Sequence, residues 1–228
     1  MKKYIILITA IFSFYSCGKI SSSLDNYVVE KEIETFWNWF KKNENRFRTS
    51  NIEKVEILKE ISTKTNKIET ELAFELAKSN KGIFLLTISA DGMKKHISLV
   101  QKIVEKSPKI KCWEIIAFRQ KESIEKFKEI EYVSDSLTIN PLKMKFFPFV
   151  TKDSLELIIY TSELTEENYN EIFYGGSILL DNLIGELNFM RKVKNYDFHK
   201  MPTEIKEIEQ LKPILELPTY INNFKIKK

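Results

Sequence analysis

The apolar pattern changes period between residues 72 and 118, and no other feature constrains the fold as much. Leu72, Phe74 and Leu76 alternate with Glu71, Ala73 and Glu75, the spacing of a half-buried strand. "IFLLTIS" (83–89) is denser, as in a central strand covered on both faces. Ile97, Val100 and Val104 return at helical spacing. Pro108 ends that run, and "IKCWEIIAF" (110–118) is apolar again. Strand, helix and strand in about 35 residues predict a βαβ crossover.

The flanks complete the pattern. Ile33, Phe36, Trp37, Phe40 and Phe47 recur at helical spacing, with Trp39 widening the apolar face. A second helix opens on a Ser50 or Asn51 cap and carries Ile52, Val55, Leu58 and Ile61. The two predict a helical hairpin. "LKMKFFPFV" and "LELIIYTSEL" surround the polar Thr151–Ser154 and predict a β-hairpin, with Pro148 near an edge. A long helix buries Ile172, Leu179, Leu180, Leu183 and Ile184, and its Gly175–Gly176 pair predicts close packing. "ELNFMRKVKNYDF" (186–198) reads as the last strand, before a tail punctuated by Pro202, Pro213 and Pro218. No sequence repeat is visible. The expected fold class is α+β (mixed α/β): a single mixed sheet of five or six strands with helices packed on it, preceded by the helical hairpin. Residues 30–228 are expected to form one domain.

The first sixteen residues stand outside that fold. Lys2 and Lys3 precede Tyr4–Tyr15, which carry no charge. A basic start and a short apolar run form a secretory leader. Twelve helical residues rise only ~18 Å against a hydrocarbon core of ~30 Å, too short for a permanent span. Phe14-Tyr15-Ser16-Cys17-Gly18 resembles the lipobox of bacterial lipoproteins. Ser16 and Gly18 fit that pattern, while Phe14 and Tyr15 are bulkier than its usual residues. The resemblance implies cleavage before Cys17, lipidation of Cys17, and a flexible tether over 17–29 that contains three serines. It places the protein in the bacterial cell envelope, membrane-anchored and facing the periplasm.

Removal of residues 1–16 leaves 34 basic against 32 acidic residues, interspersed along the chain. No basic stripe of the kind nucleic-acid binding needs is present. Histidine chemistry is thinly supplied, since His96 and His199 are about one hundred residues apart. A zinc site would require both to converge with Cys112, with no short-spaced pair to seed it. No metal and no cofactor is expected. Cys112, among Ile110, Trp113, Ile115 and Ile116, reads as a buried strand residue.

One constellation is left. In "TISADGMKKH", Asp91 and Gly92 stand where a strand gives way to a helix, a common ligand position. The plainer reading is that Asp91 caps the helix, Gly92 permits the turn and His96 is a surface residue. Arg119 ends "WEIIAFR", and Asp181 and Glu186 lie on or near the long helix. Asp91, Arg119 and Glu186 are therefore the candidate ligand-binding set, with an ion pair as Arg119's structural alternative.

"LTISADG", "LVQKIVEKSPKIKCWEIIAFR", "ILLDNLIGELNF" and "LKPILELPTYI" together resemble a family of uncharacterised bacterial proteins over residues 30–224. That resemblance implies a single domain and transfers no activity. Two functional readings follow. One is a non-catalytic lipoprotein that binds a protein or small-molecule partner. The other is an enzyme built on the strand end near Asp91. An immunity-like interaction protein is a third, which a large exposed aromatic patch would favour.

Overall fold

A computed structural model describes residues 5–6, 22–49, 54–79, 81–129, 132–133, 138–151 and 154–224. The leader (apart from Ile5–Ile6), Cys17 and the Ser50 or Asn51 cap lie outside the described residues. The α+β class holds, with the long N-terminal helix in place. Two expectations are corrected. The chain divides after Phe118 into two units, and each unit carries its own sheet. The alternation of a strand shows which face is buried but not which strand lies beside it. One expected sheet therefore became two.

The first unit opens on α1 (Ser22–Thr49) and α2 (Lys54–Thr65). Helix α1 begins five residues after Cys17, so residues 22–29 are helical rather than a flexible tether. Its buried stripe is Ile33, Phe36, Trp37, Phe40 and Phe47, and α2 adds Ile57 and Ile61. β1 (Ala73–Lys78) pairs antiparallel with β2 (Phe84–Ser89). α3 (Ile97–Glu105) crosses over, and β3 (Trp113–Ala117) pairs parallel with β2. This is the predicted βαβ crossover. The core is aromatic: Trp113 meets Phe40 edge-on at 4.9 Å between ring centroids and Phe84 at 5.3 Å. Both buried indoles find acceptors, as burial demands. Trp37 Nε1 donates to the Ile103 carbonyl at 2.8 Å, and Trp113 Nε1 to Glu44 at 3.0 Å. Cys112 is not a strand residue; it sits half-buried in the turn before β3 with φ of 65°.

The second unit contains α4 (Ile124–Glu129), β4 (Lys145–Val150) and β5 (Leu155–Thr161). β4 and β5 are the predicted hairpin, antiparallel from Lys145↔Tyr160 to Val150↔Leu155. Lys212–Pro213 cover β4 only at Lys145 and Phe146, which leaves Pro148 on an open edge as expected. α5 (Tyr169–Ile184) buries all five predicted apolar residues. A Cβ on Gly176 would stand 2.4 Å from the Phe198 ring, so this glycine is required by the close approach of helix and sheet. Gly185, at φ of +88°, ends α5.

The chain then restarts as α6 (Glu186–Lys192), and only β6 (Val193–Lys200) is strand. This corrects the expected strand over 186–198. Glu186, Phe189 and Met190 are buried at helical spacing of three and four. β6 pairs parallel with β5, with an irregularity at Leu155/Glu156. The tail packs through Ile214, Leu217 and Ile221, the last two on α7 (Leu217–Asn223). Ile5–Ile6 also pair with Tyr132–Val133, which pair with Thr138–Ile139; the latter pairing does not need the leader. No helix among the described residues is long and apolar enough to cross a membrane.

The two sheets share one plan. In each, a hairpin leads into a central strand, a helical crossover follows, and the third strand returns parallel to the central one. Each central strand ends on a fully buried hydroxyl, Ser89 or Thr161. Each hydroxyl accepts the backbone N–H two residues on: Asp91 to Ser89 Oγ at 2.9 Å and Glu163 to Thr161 Oγ1 at 3.5 Å. After each third strand the next residue donates back to the central strand, Phe118 to Ile88 and Met201 to Thr161.

Candidate functional site

Arg119, Asp181 and Glu186 come together in the second unit. Arg119 directly follows the last residue of the first unit, and the α5–α6 break presents the two acids. The three residues are 3%, 4% and 0% exposed. Arg119 Nη1 donates to Asp181 Oδ2 at 3.0 Å. The backbones interlock as well: Arg119 N–H donates to Glu186 Oε2 at 2.8 Å, and Glu186 N–H donates to the Arg119 carbonyl at 3.0 Å. Glu122 N–H adds a bond to the Asn182 carbonyl at 2.7 Å. Glu186 is the first residue of α6, where the helix dipole favours a carboxylate. Gly185 makes the break possible by adopting a conformation that L side chains avoid.

This arrangement ties residues 119–122 to the α5–α6 junction. Charges this deeply buried must be matched: Arg119 is paired with Asp181, and Glu186 accepts the Arg119 backbone N–H. A substrate reaching Arg119 would first have to break that pairing. Of the candidate set, Arg119 and Glu186 are joined directly, by Arg119 N–H to Glu186 Oε2 and by Glu186 N–H to the Arg119 carbonyl. Asp91 belongs to the other unit. Asp91 and Gly92, with φ of 47° and 79°, form a turn closed by Met93 N–H to the Ala90 carbonyl at 2.9 Å. Positive φ at both central residues makes it type I′. Asp91 is not the residue before the helix: a 3-10 turn over Lys94–His96 intervenes, and α3 starts after His96. Gly92 serves the turn as expected.

His96 is the second correction, because it is buried at 5% exposure rather than on the surface. It lies between two glutamates. Nε2 faces Glu71 Oε2 at 2.9 Å, and Nδ1 faces Glu69 Oε2 at 3.7 Å. Lys95 also pairs with Glu71, and with His96 it holds that carboxyl below the usual range. The three donors lie within 4.8 Å of one another, close enough to consider a metal ion. Their contacts argue otherwise. The carboxylates approach different ring nitrogens, Glu69 at Nδ1 and Glu71 at Nε2, and the Lys95 ammonium already holds Glu71. The cluster reads as a clamp joining the segment before β1 to the turn before α3. No local spacing announces it, since Glu69 and Glu71 are more than twenty residues from His96.

A third polar group lies on the second sheet. The Tyr169 hydroxyl donates to Asp197 Oδ1 at 2.5 Å, and His199 Nε2 faces Asp197 Oδ2 at 3.3 Å. The bond to Asp197, reinforced by burial, pushes the Tyr169 hydroxyl up to about 12. Burial pushes the Asp197 carboxyl up, but Tyr169, the Phe198 N–H and His199 outweigh it and hold it below its ordinary value. Asp-x-His on one strand face was the available sequence signal. A phenol held protonated and an engaged carboxylate give no nucleophile.

Comparison with protein families, curated proteins and solved structures finds no match.

Proposed function

We propose that this protein is a lipid-anchored lipoprotein of the bacterial cell envelope, held at Cys17, whose body is a non-catalytic binding or accessory module. The reading is carried by the order of residues 2–18: two lysines, an uncharged apolar run, then Ser-Cys-Gly. One acyl chain gives only marginal membrane binding, and two or three hold firmly. The non-catalytic part is supported by the Arg119–Asp181–Glu186 cluster, which is buried and bonded within itself. The partner is a protein or small molecule met at the membrane surface, facing the periplasm.

Acyl labelling in a bacterial host tests the reading. The wild type is expected to incorporate labelled palmitate and sediment with membranes, and Cys17→Ala to do neither. Membrane retention of Cys17→Ala equal to wild type would refute the anchor.

A further inference from the structure

Helix α1 offers a second contact to the bilayer. Its buried stripe, Ile33, Phe36, Trp37 and Phe40, fixes which face is outward. At about 100° per residue the opposite face carries Tyr27, Val28, Lys31, Thr35, Asn38 and Lys42, all exposed. Tyr27 and Val28 are 68% and 53% exposed, unusual for large apolar residues on a helix that buries its other aromatics. The exposed Glu34, one heptad on from Tyr27, is the acidic residue that borders this face. Glu30 and Glu32 flank it farther round, and Glu30 is neutralised by Lys102 at 3.5 Å and Lys106 at 3.3 Å.

Chain length places this face near the anchor. Five residue steps separate Cys17 from Ser22, at most about 18 Å fully extended. Tyr27 lies about 8 Å farther along the helix. An aromatic with a polar tip beside lysines suits the headgroup region. There the apolar part sinks in and the ammonium groups reach anionic phosphates.

We propose that the outward face of α1 lies against the anionic bilayer surface, with Tyr27 and Val28 in the headgroup boundary and Lys31 and Lys42 on lipid phosphates. The proposal rests on the anchor at Cys17 and adds to it: the first unit is held in a fixed orientation on the membrane by α1 instead of swinging on a flexible tether.

The test uses the full acylated chain carrying Val28→Cys and Cys112→Ser, labelled with a nitroxide at position 28. It is reconstituted in vesicles of phosphatidylethanolamine with about one third phosphatidylglycerol. The ratio of oxygen to nickel-complex accessibility is expected to rise severalfold over the same label on the non-acylated Cys17→Ala chain in solution. It should fall back toward the solution value when Tyr27→Ser, Lys31→Ser and Lys42→Ser are added. An unchanged ratio on protein shown to be acylated would overturn the contact while leaving the anchor intact. Absence of acylation would overturn both.

Discussion

The two ββαβ units follow one plan and secure it differently. In the first, the crossover is α3 alone, and the polar tie outside its core is the His96 clamp, whose Glu71 carboxylate is 43% exposed. In the second, the crossover is α5 and α6 with a glycine break between them. Its tie is the Arg119–Asp181–Glu186 cluster, almost wholly out of water. A longer crossover has a corner to hold, and a buried cluster holds it. The comparison teaches that polar clusters near strand ends can serve the fold rather than chemistry.

The predicted asymmetry is large. Glu186→Ala leaves the buried Arg119 N–H without its charged acceptor, and is expected to cost about 2–3 kcal/mol in urea unfolding. Glu71→Ala in the other unit is expected to cost much less, because its carboxylate is half in water. Equal costs would break the comparison. Next comes packing. Gly176→Ala drives a Cβ into the Phe198 ring and is expected to cost about 1–3 kcal/mol. Gly175→Ala meets only the Ile139 Cδ1 tip, at 3.2 Å, so the better helix propensity of alanine should offset it to near zero. Urea midpoints of the two variants separate these cases. Gly92→Ala meets nothing within 4 Å, so it isolates the backbone cost of positive φ, about 1 kcal/mol.

The smallest effect is set by pH. The raised Tyr169 contributes stability that is complete below its ordinary value of about 10 and is lost as pH rises through about 12. The depressed Asp197 contributes stability present above about pH 4 and lost as pH falls through its folded value. Tyr169→Phe should therefore lower the melting temperature slightly at pH 7, with the gap to wild type closing as acid protonates Asp197. A gap that stays constant to acid pH would remove the Tyr169–Asp197 bond from the account.

The elements legible in the sequence were those with a sharp local period. The β4–β5 hairpin, the β2–α3–β3 crossover and the close packing at the Gly175–Gly176 pair could all be read from spacing and turn residues. Residues 186–198 misled because their apolar residues fit a strand count, while Gly185 resets the chain into a helical turn. Two sheets could not be told from one, since strand pairing leaves no mark in a single sequence. The site was half visible. Arg119 and Glu186 were named from their places at element ends, and they do meet. The burial of His96 was hidden, because its partners Glu69 and Glu71 reach it only through the fold. The repeat of the ββαβ plan was hidden too. Its shared marks are a buried hydroxyl and a backbone bond, and two such residues make no sequence repeat.

The anchor remains the point on which function turns, and the mass of the mature protein tests it most directly. Intact-mass and N-terminal peptide measurement of membrane-purified protein should give a chain beginning at Cys17 and heavier by two or three acyl groups on that residue. An unacylated chain, or one beginning at any other residue, would contradict the account.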